Sequence, residues 1–237
     1  MNAVVIMTMQ FDSVLCFFAH PDDETLAAGG TIKKLTESGC RVFVAIPNTG
    51  LRSRRNADDA VVSDAALAEL REDCVCAMRR LGVKPDDIYL GEFSDNEIDK
   101  HTLLELIHWL ENILIITQPR AIFTHHRFCT NIDHQYCHEA AVIATRPCVD
   151  SHIPMFCGEV PSSTGYLKPT HWEPNWFVEL TEAQVDAKIE AMQSYKGEAR
   201  PDPHPRSPEV LKALAKVRGS ESGFYFAEAF MCNKFFA

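Results

Sequence analysis

The chain reads as an α/β protein: a Rossmann-like, mostly parallel sheet with helices on both faces, plus a small C-terminal α/β elaboration. Three observations carry that expectation. The apolar runs at residues 14–19, 42–46 and 121–124 are short and unbroken, as in strands buried on both faces. Segments of helical length and pattern alternate with them. Polar, chemically versatile residues gather just after the strands, at the edge where open α/β sheets bind ligands.

Residues 14–19 make the first strand, and Pro21, which cannot donate to a ladder, ends it. A helix over 26–38 is stopped by Gly39, and a second strand follows at 42–46. Gly29 and Gly30 lie inside this helix and lack G-x-G-x-x-G spacing, so they read as close-packing positions, not a dinucleotide loop. Residues 48–64 are polar and arginine-rich, as expected of a loop at the carboxyl edge. A helix then covers 65–81, with Gly82 ending it, and Ile88, Tyr89 and Leu90 form a third strand. The helix at 103–116 is closed by Pro119, and the fourth strand, 121–124, runs into His125 and His126 ahead of an apolar helix reaching Ala144. Beyond Pro147, prolines at 154, 161, 169 and 174 punctuate the pattern, leaving a strand at 176–180 and a helix capped by Thr181. Four prolines between Arg200 and Pro208 make that segment an extended loop.

With 237 residues, 46% of them hydrophobic, the chain can bury a substantial core. A single domain, 1–237, is expected, with a core at about 12–147 and a substrate-side elaboration at about 148–237. The net charge of -10 argues against a nucleic-acid partner, whose phosphates need clustered basic residues. The nine cysteines include no C-x-x-C pair and sit mostly in apolar patterns, the usage of reduced, buried thiols in a cytoplasmic protein. No secretory leader is read at the N-terminus, and the most apolar helix, around 103–117, is too short and too polar to span a bilayer.

The most informative stretch is Ala19-His20-Pro21-Asp22-Asp23-Glu24, which places an imidazole and three carboxylates where the first strand stops. Helix capping explains acids at a helix start but requires no histidine. His20 and Asp23 can point at one ion, and nitrogen with carboxylate oxygen is a ligand set that zinc accepts. His134, opening the helix after the fourth strand, is a third candidate; two imidazoles and a carboxylate leave one position for water, as in catalytic zinc sites. His134 with His138, four residues apart, is an alternative pair; at most one of His125 and His126 faces the site, and Cys129 reads as a buried neutral thiol, with soft ligation as the alternative.

Together with Asn131-Ile132-Asp133-His134 and the closing Arg218-Gly219 through Ala227-Glu228-Ala229-Phe230, the hexapeptide resembles the LmbE-like or PIG-L-type zinc-dependent N-acetylglucosamine deacetylases. Arg71 with Leu81-Gly82-Val83 looks like the family's helix after the second strand. The resemblance implies one zinc ion per chain held by His20, Asp23 and His134, with Asp22 as general base. It also implies a hydrolase that takes the N-acetyl group from a small amino sugar or sugar conjugate, and it points to Arg71 for sugar recognition, with Arg54 as an addition. A larger acyl group, or sugar binding without turnover, are the other readings. No membrane partner is expected, and a homo-oligomer is compatible. Many members carry histidine where this chain has Asn131, which donates an amide hydrogen bond but no charge. His204, in the proline-rich loop of this or a neighbouring subunit, is the candidate for that oxyanion role, and Asp133 for orienting an imidazole.

Overall fold

Period-two alternation explains why the first strand has a wholly apolar interior. In the computed structural model, which describes residues 11–48, 64–149, 151–167, 169 and 171–236, β1 (Ser13–Phe17) sends Val14 and Cys16 into one apolar cluster and Leu15 and Phe17 into another on the opposite face. β2 (Arg41–Asn48) divides likewise, with Val42, Val44 and Ile46 against Phe43 and Ala45. The two strands pair in parallel, Val14 opposite Val42. β3 (Ile88–Phe93) lies outside β2, while β4 (Ile122–His125) and then β5 (Met155–Gly158) continue the parallel sheet beyond β1. β7 (Phe226–Lys234) joins β5 antiparallel and β6 (Trp176–Leu180) joins β7, giving the order β3-β2-β1-β4-β5-β7-β6.

Helices cover both faces. α1 (Asp23–Glu37), α2 (Asp64–Arg80), α5 (Glu182–Ser194) and α6 (Pro208–Ser222) bury residues such as Ile32, Met78, Met192 and Leu211 against one side. α3 (Leu103–Thr117) and α4 (Ile132–Ala144) bury Leu106, Leu110, Cys137 and Ala141 on the other. The chain leaves β1 toward β2 and leaves β4 toward β5, so the strand order reverses between β1 and β4. A crevice opens at the carboxyl ends of strands flanking such a reversal. No helix among the described residues is long and apolar enough to cross a membrane.

Several expectations are corrected. α1 begins at Asp23, three residues before Leu26, because the Asp22 carbonyl already accepts the Leu26 N–H at 2.8 Å. Pro208 belongs to α6, not to the loop: the Ser207 hydroxyl caps the helix by accepting the Val210 N–H at 3.2 Å, and proline suits the first helical position. β5, β7 and α6 were not read from the sequence at all. The C-terminal part adds β6 and β7 to the edge of the main sheet. The polar loop expected at 48–64 falls almost wholly outside the described residues.

One buried acid ties the C-terminal strands to α1. Glu228 on β7 accepts the mid-helix N–H groups of Gly30 at 3.0 Å and Thr31 at 2.7 Å, and pairs with Lys188 of α5 at 2.7 Å. Lys188 also donates to the Leu26 carbonyl at 2.8 Å. Close approach requires glycine: a Cβ on Gly30 would lie 2.4 Å from Leu180 Cδ1, and one on Gly29 2.9 Å from Lys188 Cγ. Glu228→Ala leaves the buried Lys188 ammonium without its counter-charge and removes the carboxylate from two N–H groups, and is expected to lower the unfolding free energy by about 3–5 kcal/mol. A urea midpoint unchanged from the wild type would refute this role for Glu228.

Candidate metal centre and active site

The polar floor of the crevice is supplied by the segments that leave the strands. After β1, Pro21 and Asp22 turn the chain into α1, and Asp22 takes φ 122°, a conformation L-residues rarely adopt. The Asp22 side chain makes no capping bond, so helix capping does not account for it. The turn is held from within the helix: Glu24 Oε2 accepts the Asp22 N–H at 3.1 Å, while Glu24 Oε1 accepts from the Tyr195 hydroxyl at 2.5 Å and from Thr25 at 2.7 Å.

Three side chains meet above this turn. Asp23 Oδ2 lies 3.0 Å from His20 Nδ1 and 3.0 Å from His134 Nε2, and the two nitrogens are 3.3 Å apart. Tetrahedral zinc with bonds of about 2.0–2.1 Å separates its ligand atoms by about 3.3 Å. The triangle therefore fits that ion, and its donor set, two imidazole nitrogens and one carboxylate oxygen, is one zinc takes.

The other ring nitrogens have partners of their own. His20 Nε2 faces Asp133 Oδ2 at 3.0 Å and Asp95 Oδ1 at 3.1 Å. Asp133 Oδ2 also accepts from Asn48 Nδ2 at 2.7 Å and the Asn96 N–H at 2.6 Å, and its Oδ1 accepts the Ile98 N–H at 3.2 Å. Those donors occupy Asp133, so His20, Asp95 and Asp133 form the outer support of an imidazole, not a second cation site. His134 Nδ1 meets Cys129 Sγ at 3.0 Å. His125 stacks on the His134 ring at 3.8 Å, and its Nε2 accepts the Ala19 N–H at 2.7 Å. His126 turns away to Trp172 and Phe128, and His138 donates Nδ1 to the His125 carbonyl, so His138 does not pair with His134.

Charge follows geometry. Burial opposes a charge on His134, but Asp23, by its charge and its hydrogen bond, lifts the imidazolium to about 9. Burial opposes His20 as well, and its hydrogen bonds to Asp133, Asp23 and Asp95 together outweigh it, holding His20 well above the ordinary value. Burial alone would raise Asp23, yet His134 and His20 hold it well below the usual range. Asp22 goes the other way: burial, reinforced by Asp23, Glu198 and Glu24, pushes it well above the carboxylate range although Arg206 opposes. A general base works best with its pKa raised toward the operating pH.

A cavity of about 210 Å³ opens over these groups, lined by His20, Asp22, Asp23, His134, Asp95, Asn96, Asn131, Ser163, Glu198 and Arg206. Asn131 is present, but it is engaged: its Oδ1 caps α4 by accepting the Asp133 N–H at 2.8 Å, and its Nδ2 donates to Asn96 at 2.9 Å. The proline-rich loop does reach the site, but with Arg206 in place of His204. Arg206 Nη1 lies 2.6 Å from Asp22 Oδ2 and contacts Glu198, and Nε donates to Ser162 at 3.2 Å. His204 does not line the cavity; its Nδ1 accepts the Arg206 N–H at 3.1 Å, because the turn directs the following arginine inward. Arg71 is exposed on α2 and does not line the cavity, and Arg54 lies outside the described residues. Asp95 and Asn96, just past β3, were missed although the carboxyl-edge argument applies to them. Tyr195, Glu198 and Arg206 had no comparable signal, being brought in by α5 and its following loop.

The fold and this donor set define the class. The family described as PIG-L: GlcNAc-PI de-N-acetylase matches residues 15–145, more than half of the chain, which therefore belongs to the PIG-L family. Over 229 residues the chain is 28% identical to diacetylchitobiose deacetylase of Thermococcus kodakarensis, covering 91% of this chain and 80% of that protein. The N,N'-diacetylchitobiose deacetylase structure from Pyrococcus horikoshii superposes with a TM-score of 0.74 at 25% identity, covering 93% of this chain and 83% of that one. The fold is also shared, at a TM-score of 0.74 and 19% identity, with GalB, the 4-carboxy-2-hydroxymuconate hydratase of Pseudomonas putida KT2440, over 95% of this chain and 97% of that one.

Protonation and ligation compete at His134. Without metal, the imidazolium's pairing with Asp23 adds stability that is fully present below the ordinary histidine pKa of about 6.5. It is lost as the pH rises through about 9. A zinc ion held by His134 would have to displace that proton, so zinc affinity is expected to rise across the same window, with proton release measurable by calorimetry in buffers of different ionisation enthalpy. A pH-independent zinc affinity would contradict the arrangement.

Proposed function

We propose that the chain is a zinc-dependent N-deacetylase that hydrolyses the N-acetyl group of an amino sugar or sugar conjugate, giving acetate and a free amine. The observation that carries the reading is the triangle of His20 Nδ1, Asp23 Oδ2 and His134 Nε2 with the buried Asp22 carboxylate on the same turn. The deacetylase relatives support the reaction; the hydratase neighbour is a reminder that the fold alone does not fix it.

His20, Asp23 and His134 would hold the metal, and Asp133 would orient His20. Zinc bound there supplies Lewis acidity, lowering the pKa of a bound water to about 7 and polarising the amide carbonyl. Asp22 takes the proton of the attacking water and returns it to the departing nitrogen, which an amide requires because its anion is a very poor leaving group. Arg206 takes the part expected of His204. Its Nη1, held by Glu198 and Ser162 over Asp22, is a charged donor for the oxyanion where Asn131 is already committed. The cavity admits an acetamido group and part of a sugar ring, with the remainder at the mouth. Glu198, Arg206 and Ser163 complete a site begun by residues 20–134, which supports one functional domain over the chain.

Asp22→Asn is expected to retain zinc and lose about 10²–10⁴-fold in turnover, read as acetate release from free, phosphorylated and nucleotide-linked N-acetyl sugars by mass spectrometry. Full activity in that variant or in metal-stripped protein would sink the reading, and release of a longer acid would redirect it to a larger acyl group. Arg206→Ala is expected to lower kcat by about 10²–10³ with a smaller change in KM. An unchanged kcat would remove Arg206 from the oxyanion role.

A further inference from the structure

We infer that Cys129 is a positioning residue for His134, a sulfur acceptor that fixes which imidazole nitrogen faces the metal. The inference rests on the reading of His134 as a zinc ligand. His134 presents Nε2 to Asp23 Oδ2 and to His20 Nδ1, so a ligating ring must carry its proton on Nδ1. That N–H points at Cys129 Sγ, 3.0 Å away. Metal-binding imidazoles commonly donate this second N–H to a carboxylate, a carbonyl or water, as His20 does to Asp133 and Asp95. Here the acceptor is sulfur.

The thiol is built into its place. Cys129 is fully buried; its N–H donates to the His126 carbonyl at 3.3 Å, and its own carbonyl accepts from Gln135 Nε2 at 2.7 Å. The sulfur also lies 3.8 Å from Thr164 Oγ1. Cys129 lies just ahead of the first turn of α4, whose N-terminus carries partial positive charge, and His134 in that turn directs its Nδ1 to the sulfur. His125, stacked at 3.8 Å and 16°, restricts tilting of the His134 ring, while the sulfur restricts its rotation about Cβ–Cγ. A cysteine serving only as a small apolar filler requires no such set of donors.

The test uses the full chain, stripped of metal and titrated with zinc against a chromophoric chelator, with the absorption spectrum of the cobalt-loaded protein as a report on ligand geometry. Cys129→Ala and Cys129→Val both remove the acceptor, one leaving space and the other filling it, so failure of either to fold leaves the other to decide. Each is expected to bind zinc about 10–100-fold more weakly, with an altered cobalt spectrum. Cys129→Ser, which restores an acceptor, is expected to recover most of the loss. Wild-type affinity and spectrum in a folded Ala or Val variant would overturn the assignment while leaving the proposed function standing. A wild-type chain that binds no zinc would overturn both.

Discussion

Four carboxylates, Asp22 and Asp23 on the floor of the crevice and Glu24 and Asp133 beneath it, lie at 3% exposure or less, and each needs a partner before the chain can close over it. The architecture of the site follows from how those partners are delivered. Asp133 collects three donors from the end of β2 and the segment after β3 in addition to His20. Glu24 takes the Tyr195 hydroxyl from the end of α5, and Asp22 takes Arg206 from the loop that follows. Asp23 Oδ2 accepts the His20 N–H at 3.1 Å and faces the His20 and His134 imidazoles, and it is there that the donor atoms form a triangle of metal-binding size.

The four acids thereby acquire different duties. Asp133, surrounded by N–H groups, is fixed and supports His20. Glu24 holds the Asp22 backbone at a φ that it would not keep unaided. Asp22, with burial and neighbouring acids acting on it, is the carboxylate whose proton affinity is raised, whereas Asp23, one residue on, is depressed by the imidazoles. Adjacent residues of the same type are thus separated into a candidate proton acceptor and a candidate ligand by their surroundings, which is how acid and base roles are commonly divided in active sites.

Much of the parallel core was legible because its signals are local. Unbroken apolar strands, helices stopped by Gly39 and Gly82, and the Thr181 cap depend on nearest neighbours along the chain, and the structure has them where expected. β5 and β7 were not, since four residues after a proline-punctuated stretch, and a closing strand that mixes Phe226, Phe230 and Met231 with Ala227, Glu228, Ala229, Asn233 and Lys234, carry no sustained strand pattern; they are strands because neighbouring edges pair with them. α6 was hidden by reading Pro208 as part of a loop when Ser207 makes it a helix start.

The sequence by itself determined the crevice, since polar residues placed after β1 and β4 must emerge on the same carboxyl edge of a parallel sheet, and it named His20, Asp22, Asp23 and His134. Tertiary structure decided what surrounds them. Arg206 in place of His204, Tyr195 against Glu24, Asp95 beside His20 and Cys129 behind His134 depend on the direction in which a side chain leaves its loop or helix. That direction is set by packing between segments as far as 184 residues apart in the chain, from Asp22 to Arg206, which no local pattern encodes.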